Sequence, residues 1–142
     1  MKIDDLLSLI ETDSVIDPNK LDVESLKISQ LHAKYYKIFM EEVRMLKSYD
    51  LKYGTMKKER QEYYMGLAPD EAYKAEPLNK KWLKSEIDIA LGADVKLSEI
   101  DVKRDMQRQK VKMVEEFIKT LAGRSYNIKN SIEFLKFKNG VG

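Results

Sequence analysis

Two long stretches of the chain repeat their apolar residues at the spacing of an α-helix, which limits the folds that the chain can adopt. The first stretch, residues 21–65, contains no proline and one glycine, Gly54, near which we expect the helix to bend. Its apolar residues lie mostly three or four positions apart, so they share one helix face. They are Leu26, Ile28, Leu31, Tyr35, Ile38, Met45, Tyr49, Tyr53 and Met56. The pattern predicts a single long helix that packs along one side.

The second stretch, residues 97–138, alternates spacings of three and four, as in the heptad repeat of a coiled coil. Its apolar positions form the seam of a predicted coiled coil. These positions are Val111, Val114, Ile118, Leu121, Ile128, Ile132 and Leu135. Ser125 lies within the repeat, and Arg104 and Gln107 continue it toward the N-terminus. The first half of this helix is therefore predicted to be more polar than an ordinary coiled coil.

The segment between the two long stretches predicts a reversal of the chain. Residues 66–77 contain Gly66, Pro69 and Pro77 and form the predicted connector. Shorter helices are expected at residues 3–10 and 78–91, although residues 86–91 also fit a brief extended segment. The predicted fold is all-α, with one domain over residues 1–142. In it, two long helices form an antiparallel hairpin or coiled coil with shorter flanking helices.

The end of the first long stretch combines cations with adjacent tyrosines. Single-stranded DNA requires cations for its phosphates and flat rings on which unpaired bases can stack. We therefore predict DNA binding by this segment. Its residues are Lys57, Lys58, Arg60, Tyr63 and Tyr64. A structural interpretation remains open, because cations stabilise a helix C-terminus and tyrosines often fill helix junctions.

A second basic run begins the second long stretch and supplies three further candidates, Lys103, Arg104 and Arg108. In an antiparallel hairpin the start of the second helix lies near the end of the first, so the two basic runs would meet. A third group of cations, including Lys129 and Lys136, lies near the C-terminus. Charge runs on long helices are often merely solvated, so their common sign is the more informative observation.

Acidic residues concentrate at the N-terminus of a chain whose net charge is +2. The first 24 residues carry only Lys2 and Lys20 against a larger set of acids. The acids are Asp4, Asp5, Glu11, Asp13, Asp17, Asp22 and Glu24. An acidic head on a basic body predicts two faces, one for a polyanion and one for a protein partner.

The residue types present argue against an enzyme. There is no cysteine, and the single histidine, His32, has no ligand pattern around it, so it is interpreted as a packing residue. Asp88 and Asp94 flank Gly92 and are interpreted as helix caps rather than a calcium loop. We predict no catalytic residue, no metal site and no cofactor. The chain has no signal-peptide pattern and no apolar run of membrane-spanning length, so no membrane partner is expected.

Several motifs, taken together and in order, resemble the UvsY family of tailed-phage recombination, repair and single-stranded-DNA-binding proteins. The resemblance rests on V-I-D-P-x-K-L at residues 15–21, L-H-A-K-Y-Y at 31–36 and K-x-R-x-[DE]-Y-Y-x-G at 58–66. Further support comes from S-E-I-D-I at 85–89 and from residues 124–134, where Ser125 replaces a glycine that is common in the family.

The resemblance implies a recombination mediator that also serves DNA repair and replication. Such a protein binds single-stranded DNA, helps to displace the phage single-strand-binding protein and loads a RecA-like phage recombinase. On this resemblance Lys58 and Arg60 match the basic DNA-binding pattern. The resemblance also implies a homo-oligomeric ring, a hexamer or heptamer, in which the C-terminal part of the chain contributes to assembly. The heptad from Val111 to Leu135 is the matching candidate in this chain. A location in the cytoplasm of the infected bacterial host is implied as well.

Two other classes of function remain open from the residues. One is a structural or adaptor coiled coil that does not bind nucleic acid. The other is an enzyme accessory or nuclease-like factor, which the lack of an evident carboxylate cluster disfavours.

Overall fold

The structure, a computed structural model, describes residues 1–140 and is helical throughout its regular segments. The last two residues of the predicted domain, Val141 and Gly142, lie outside the described residues. The α-helices are α1 (Ile3–Ser14), α2 (Leu21–Tyr64), α3 (Asp70–Ala75), α4 (Ile87–Gly92) and α5 (Val95–Lys138). A 3-10 turn at Lys84–Glu86 precedes α4, and no strand occurs within residues 1–140. The all-α prediction is confirmed.

The two long helices follow the predicted stretches closely, and α2 continues through Gly54 without interruption. The prediction for the intervening segment was less accurate. The connector contains α3, which begins after Pro69 and carries Asp70 and Glu71 in its first turn, where the helix dipole favours acids.

The predicted helix at 78–91 is wrong over its first half. Residues 78–83 are not helical, and regular structure begins at Lys84. Pro77 disfavours helix at the residue before it, and the ring of Trp82 packs edge-on against Tyr64 at a centroid distance of 5.6 Å. Tertiary packing therefore overrides the local apolar pattern here.

The described contacts separate into two compact units, each of which contains part of α2 and part of α5. Unit 1 consists of Met1–Val43 and the residues from Gln109 on, and unit 2 consists of Arg44–Arg108. The prediction of a single domain over residues 1–142 stays a prediction.

Unit 1 has a core to which α1, α2 and α5 all contribute. Leu6, Tyr35 and Leu121 are fully buried, and the Tyr35 ring meets Phe117 edge-on at a centroid distance of 4.5 Å. The end of α1 is also fixed by polar contacts. The buried Arg124 donates to the carbonyl oxygens of Asp13 and Ser14 at 3.1 and 3.4 Å, which satisfies groups that a helix C-terminus leaves unpaired.

The Asp13 carboxylate joins α1 to α2 as well. Lys34 and the Tyr35 hydroxyl both donate to its Oδ2 at 2.7 Å. Burial alone would raise the pKa of Asp13, but these two hydrogen bonds and the positive charges of Lys34 and Arg124 lower it. Burial, together with the same carboxylate, raises the pKa of Tyr35.

The predicted assembly heptad is partly used inside unit 1. Val114, Leu121 and Ile128 are buried within the chain itself, whereas Leu135 is 41% exposed. Two residues outside the predicted heptad, Phe117 and Arg124, are also buried. Their neighbours Ile118 and Ser125, which the heptad had selected, are less buried. The buried stripe is thus offset from the predicted one, and the role of the heptad in assembly stays a prediction.

Unit 2 has its own core, built where the end of α2, the short helix α4 and the start of α5 converge. Ile87, Leu91, Leu97 and Ile100 are buried in it. Aromatic and sulfur side chains of α2, and one aromatic side chain from the segment before α4, pack around them. These side chains are Tyr49, Tyr53, Met56, Tyr64 and Trp82. None of the helices in residues 1–140 is both long and apolar enough to span a membrane.

Candidate nucleic-acid interface

Arg60, at the end of α2, is the centre of a buried polar network in unit 2. Its side chain is 10% exposed, and its Nε donates to Asp94 Oδ2 at 2.7 Å. Its two terminal nitrogens form a bidentate pair with the Glu76 carboxylate, at 2.8 and 3.1 Å. Asp94 Oδ1 in turn accepts the Leu97 backbone N–H at 2.8 Å, which caps the start of α5. The interpretation of Asp94 as a helix cap is confirmed.

The two tyrosines beside Arg60 are built into the same network. The Tyr63 ring lies 4.3 Å from the guanidinium carbon of Arg60, and its hydroxyl donates to the Glu76 carbonyl at 2.9 Å. The Tyr64 hydroxyl donates to Asp94 Oδ2 at 2.6 Å. Tyr63 is only 6% exposed, so its faces are occupied within the chain.

The charges of this network are mutually stabilised. Burial would lower the pKa of Arg60, but hydrogen bonds to Glu76 and Asp94 raise it overall. Hydrogen bonds from Arg60 lower the pKa of Glu76. At Asp94, burial alone would raise the pKa, but hydrogen bonds from Tyr64, the Leu97 N–H and Arg60 lower it overall. The cation and both carboxylates are therefore charged at neutral pH.

The predicted cations at the start of α5 differ in how free they are. Arg104 lies over the Tyr53 ring at 3.6 Å and pairs with Asp101 at 2.8 Å. Arg108 is about half exposed and lies 3.5 Å from Asp50. Lys103 is exposed.

The structure thus divides the predicted DNA-binding residues into two groups. Lys57, Lys58, Lys103 and Arg108 present exposed cations on the surface of unit 2. Arg60 and Arg104, with Tyr63 and Tyr64, are engaged in the packing of that unit. Sequence reasoning missed Glu76 and Asp94 as the partners of Arg60. The N-cap pattern identified Asp94 as a helix cap, but no local pattern pairs Asp94 or Glu76 with Arg60.

The end of α2 also borders a cavity of about 600 Å³. Arg60, Tyr63 and Met56 line one side of it, and Pro69 and Ala72 line the other. Glutamates 59, 62 and 76 share this lining with Arg60 and Lys96, so the cavity does not present a clear anion site. Within residues 1–140, no group of histidines and carboxylates is arranged to hold a metal ion.

Exposed aromatic rings lie elsewhere, on unit 1. Tyr36 is 52% exposed, and its ring is nearly parallel to that of His32, at an interplanar angle of 10° and a centroid distance of 6.3 Å. On α5, Tyr126, Phe134 and Phe137 are between 63% and 82% exposed.

Comparison with solved structures identifies the fold. The chain has the fold of a phage recombination mediator, as seen in crystal structures of the bacteriophage T4 recombination mediator protein UvsY. The lattice type II structure superposes with a TM-score of 0.86 at 21% identity and covers 98% of each chain. The lattice type I structure gives a TM-score of 0.83 at 21% identity, covering 94% of this chain and 98% of that one.

The sequence identifies the family. Residues 9–141 match the family described as "Recombination, repair and ssDNA binding protein UvsY". The chain therefore belongs to the UvsY family, as the resemblance of its motifs predicted. No protein with a curated description matches the sequence.

Proposed function

We propose that this chain binds single-stranded DNA and acts without catalysis as a recombination mediator. In this role it helps to displace the phage single-strand-binding protein and loads a RecA-like recombinase onto the strand. Family membership over residues 9–141 carries the proposal. The exposed cations of unit 2 support it, because phosphate contacts supply most of the affinity for a polynucleotide.

The proposed site separates direct contact from support. Lys57, Lys58, Lys103 and Arg108 bind phosphates directly, since they are exposed on α2 and α5. Arg60, Tyr63, Tyr64 and Arg104 act as positioning residues, because their charges and rings are already engaged. Asp94 holds α5 to Arg60, so the helices that carry the exposed lysines are joined by this network.

The antiparallel hairpin is part of the same proposal and is supported by the order of contacts within unit 2. From the start of α5 onward, Asp94 meets Arg60, Arg104 meets Tyr53 and Arg108 approaches Asp50. The residue numbers of these partners increase along α5 and decrease along α2, which is the contact order of antiparallel helices. Both basic runs belong to unit 2, so the antiparallel order supports a shared binding surface there.

We further propose that the chain forms a homo-oligomeric ring, a hexamer or heptamer, in the cytoplasm of the infected bacterium. Val114, Leu121 and Ile128 serve the chain's own core, so the exposed end of α5, including Leu135, is the better candidate for contact with a neighbour. A ring converts weak basic sites into tight binding, because later contacts form at high effective concentration. Exposed acids of α1, Asp4 and Asp5, are the proposed docking face for protein partners.

The test is a titration of Lys57→Ala/Lys58→Ala with single-stranded oligonucleotide over a series of salt concentrations. Each lost phosphate contact reduces the slope of log affinity against log salt by about 0.7, so the double variant should lose about 1.4. Lys74→Ala, an exposed cation on α3, is the matched control and should keep the wild-type slope. An unchanged slope in the double variant removes these lysines from the site. If the wild type fails to bind at low salt, the alternative of an adaptor coiled coil is favoured.

A further inference from the structure

A base-stacking site for single-stranded DNA needs exposed aromatic rings. Tyr63 and Tyr64, which were predicted to supply such rings, do not expose them. Tyr63 is 6% exposed, and Tyr64 packs against Trp82. Unpaired bases stack on ring faces that solvent can reach, so base stacking on this chain requires rings other than Tyr63 and Tyr64.

The pair His32 and Tyr36 has the required geometry. The two residues are four positions apart on α2 and therefore lie on the same helix face. Their rings are nearly parallel, with centroids 6.3 Å apart. Nearly parallel exposed rings offer flat faces on which one unpaired base can stack, against them or between them.

The ring of Tyr36 also lies near a second aromatic ring of α2. Its ring lies 6.4 Å from that of Phe39, which packs against the core of unit 1. A stacking ring that rests on a packed neighbour loses less freedom when a base binds. Lys37, the next residue along α2, is exposed and adds a positive charge near this pair.

A groove with both polar and apolar lining adjoins His32 on unit 1. Its first part, about 380 Å³, is lined by the polar residues His32, Ser25, Ser29 and Ser125 and by the apolar residues Ile28, Leu121 and Ala122. A second cavity of about 410 Å³ shares Ser25 and Ser125 with the first and is lined further by Ile128, Ile132, two lysines, Lys129 and Lys136, and one acid, Glu133. Hydroxyl donors followed by lysines suit a sugar-phosphate backbone, whereas a duplex could not place a base between the rings.

We propose that His32 and Tyr36 form a base-stacking subsite and that the adjoining groove carries the backbone of the same unpaired strand. The subsite lies entirely on unit 1 and uses none of the cations assigned above to unit 2. It rests on the proposed function, since it describes a further contact with the same ligand.

The test measures the affinity of Tyr36→Ala and Tyr36→Phe for a short oligo(dT), at several salt concentrations, together with the mass of each variant. Loss of one stacked base weakens binding between about fivefold and a hundredfold. Tyr36→Ala should show this loss with an unchanged salt slope, because no phosphate contact is removed. Tyr36→Phe keeps the ring and should bind like the wild type. Tyr126→Ala, which removes a tyrosine that is 68% exposed on α5, is the matched control and should bind normally.

An abasic strand of the same length makes the test specific for bases. The wild type should bind the abasic strand more weakly than oligo(dT). Tyr36→Ala should bind the two strands with the same affinity, because its stacking ring is already gone. The proposal is overturned if Tyr36→Ala binds oligo(dT) like the wild type or loses equally on both strands. It is also overturned if the variant loses mass in parallel with affinity, since the face would then be a contact between copies. Failure of the wild type itself to bind would instead overturn the proposed function.

Discussion

Replacing Arg60 with alanine would remove the cation that the buried Asp94 and the partly exposed Glu76 share. The Asp94 side chain is 2% exposed and would keep its bonds from the Tyr64 hydroxyl and the Leu97 N–H. Glu76 is 43% exposed and would be rehydrated. Breaking a buried ion pair by removing one partner costs about 3–5 kcal/mol. Because Asp94 keeps two donors, the expected loss in free energy of unfolding is at the lower end, about 3 kcal/mol.

For a chain of this length that loss lowers the melting temperature by about 10 °C. The assay is thermal and urea unfolding followed by circular dichroism, at one protein concentration and with the mass of each variant determined, because assembly also shifts apparent stability. Lys58→Ala is the control: an exposed cation on the same helix whose loss should change stability by less than about 0.5 kcal/mol. An Arg60→Ala protein as stable as the wild type would refute the assignment of Arg60 as a positioning residue.

Other predictions concern the two cores and the response to acid. Leu121→Ala, at a fully buried position of unit 1, should lower the free energy of unfolding in urea by about 2–5 kcal/mol. Leu135→Ala, at a position that is 41% exposed, should alter the sedimentation mass more than the stability. Equal stability losses in the two variants would contradict the difference in burial between these positions of α5. The pKa values of Asp13, Glu76 and Asp94 are lowered in the fold, so their stabilisation is present above the unfolded value of about 4 and is lost as pH falls through the folded values. Asp94→Asn should therefore lose less stability than the wild type between pH 7 and pH 3, and an equal loss would show that Asp94 does not contribute to the acid response.

The long helices were predictable because their signal is local and repeated many times. Apolar spacing over residues 21–65 and 97–138 places both helices to within two residues of their observed ends. The offset of the buried stripe on α5 was not predictable, since Phe117 and Ile118 are both apolar and packing against Tyr35 favours Phe117.

The candidate site shows the limit of local reasoning more clearly. A basic run followed by two tyrosines describes an exposed DNA-binding surface and a packed helix junction equally well. The difference depends on Asp94 and Glu76, which are distant in sequence and which draw Arg60 inward. Sequence alone therefore indicated the residue types of the site, while the structure separated Lys57 and Lys58 from Arg60 and Tyr63 by exposure.

The most direct measurement is the affinity of the full chain, at known mass, for single-stranded and double-stranded oligonucleotides of the same sequence across a salt series. The proposed function requires tighter binding to the single strand and an affinity that falls steeply as salt rises. Equal affinity for both strands, or no binding at low salt, would contradict it.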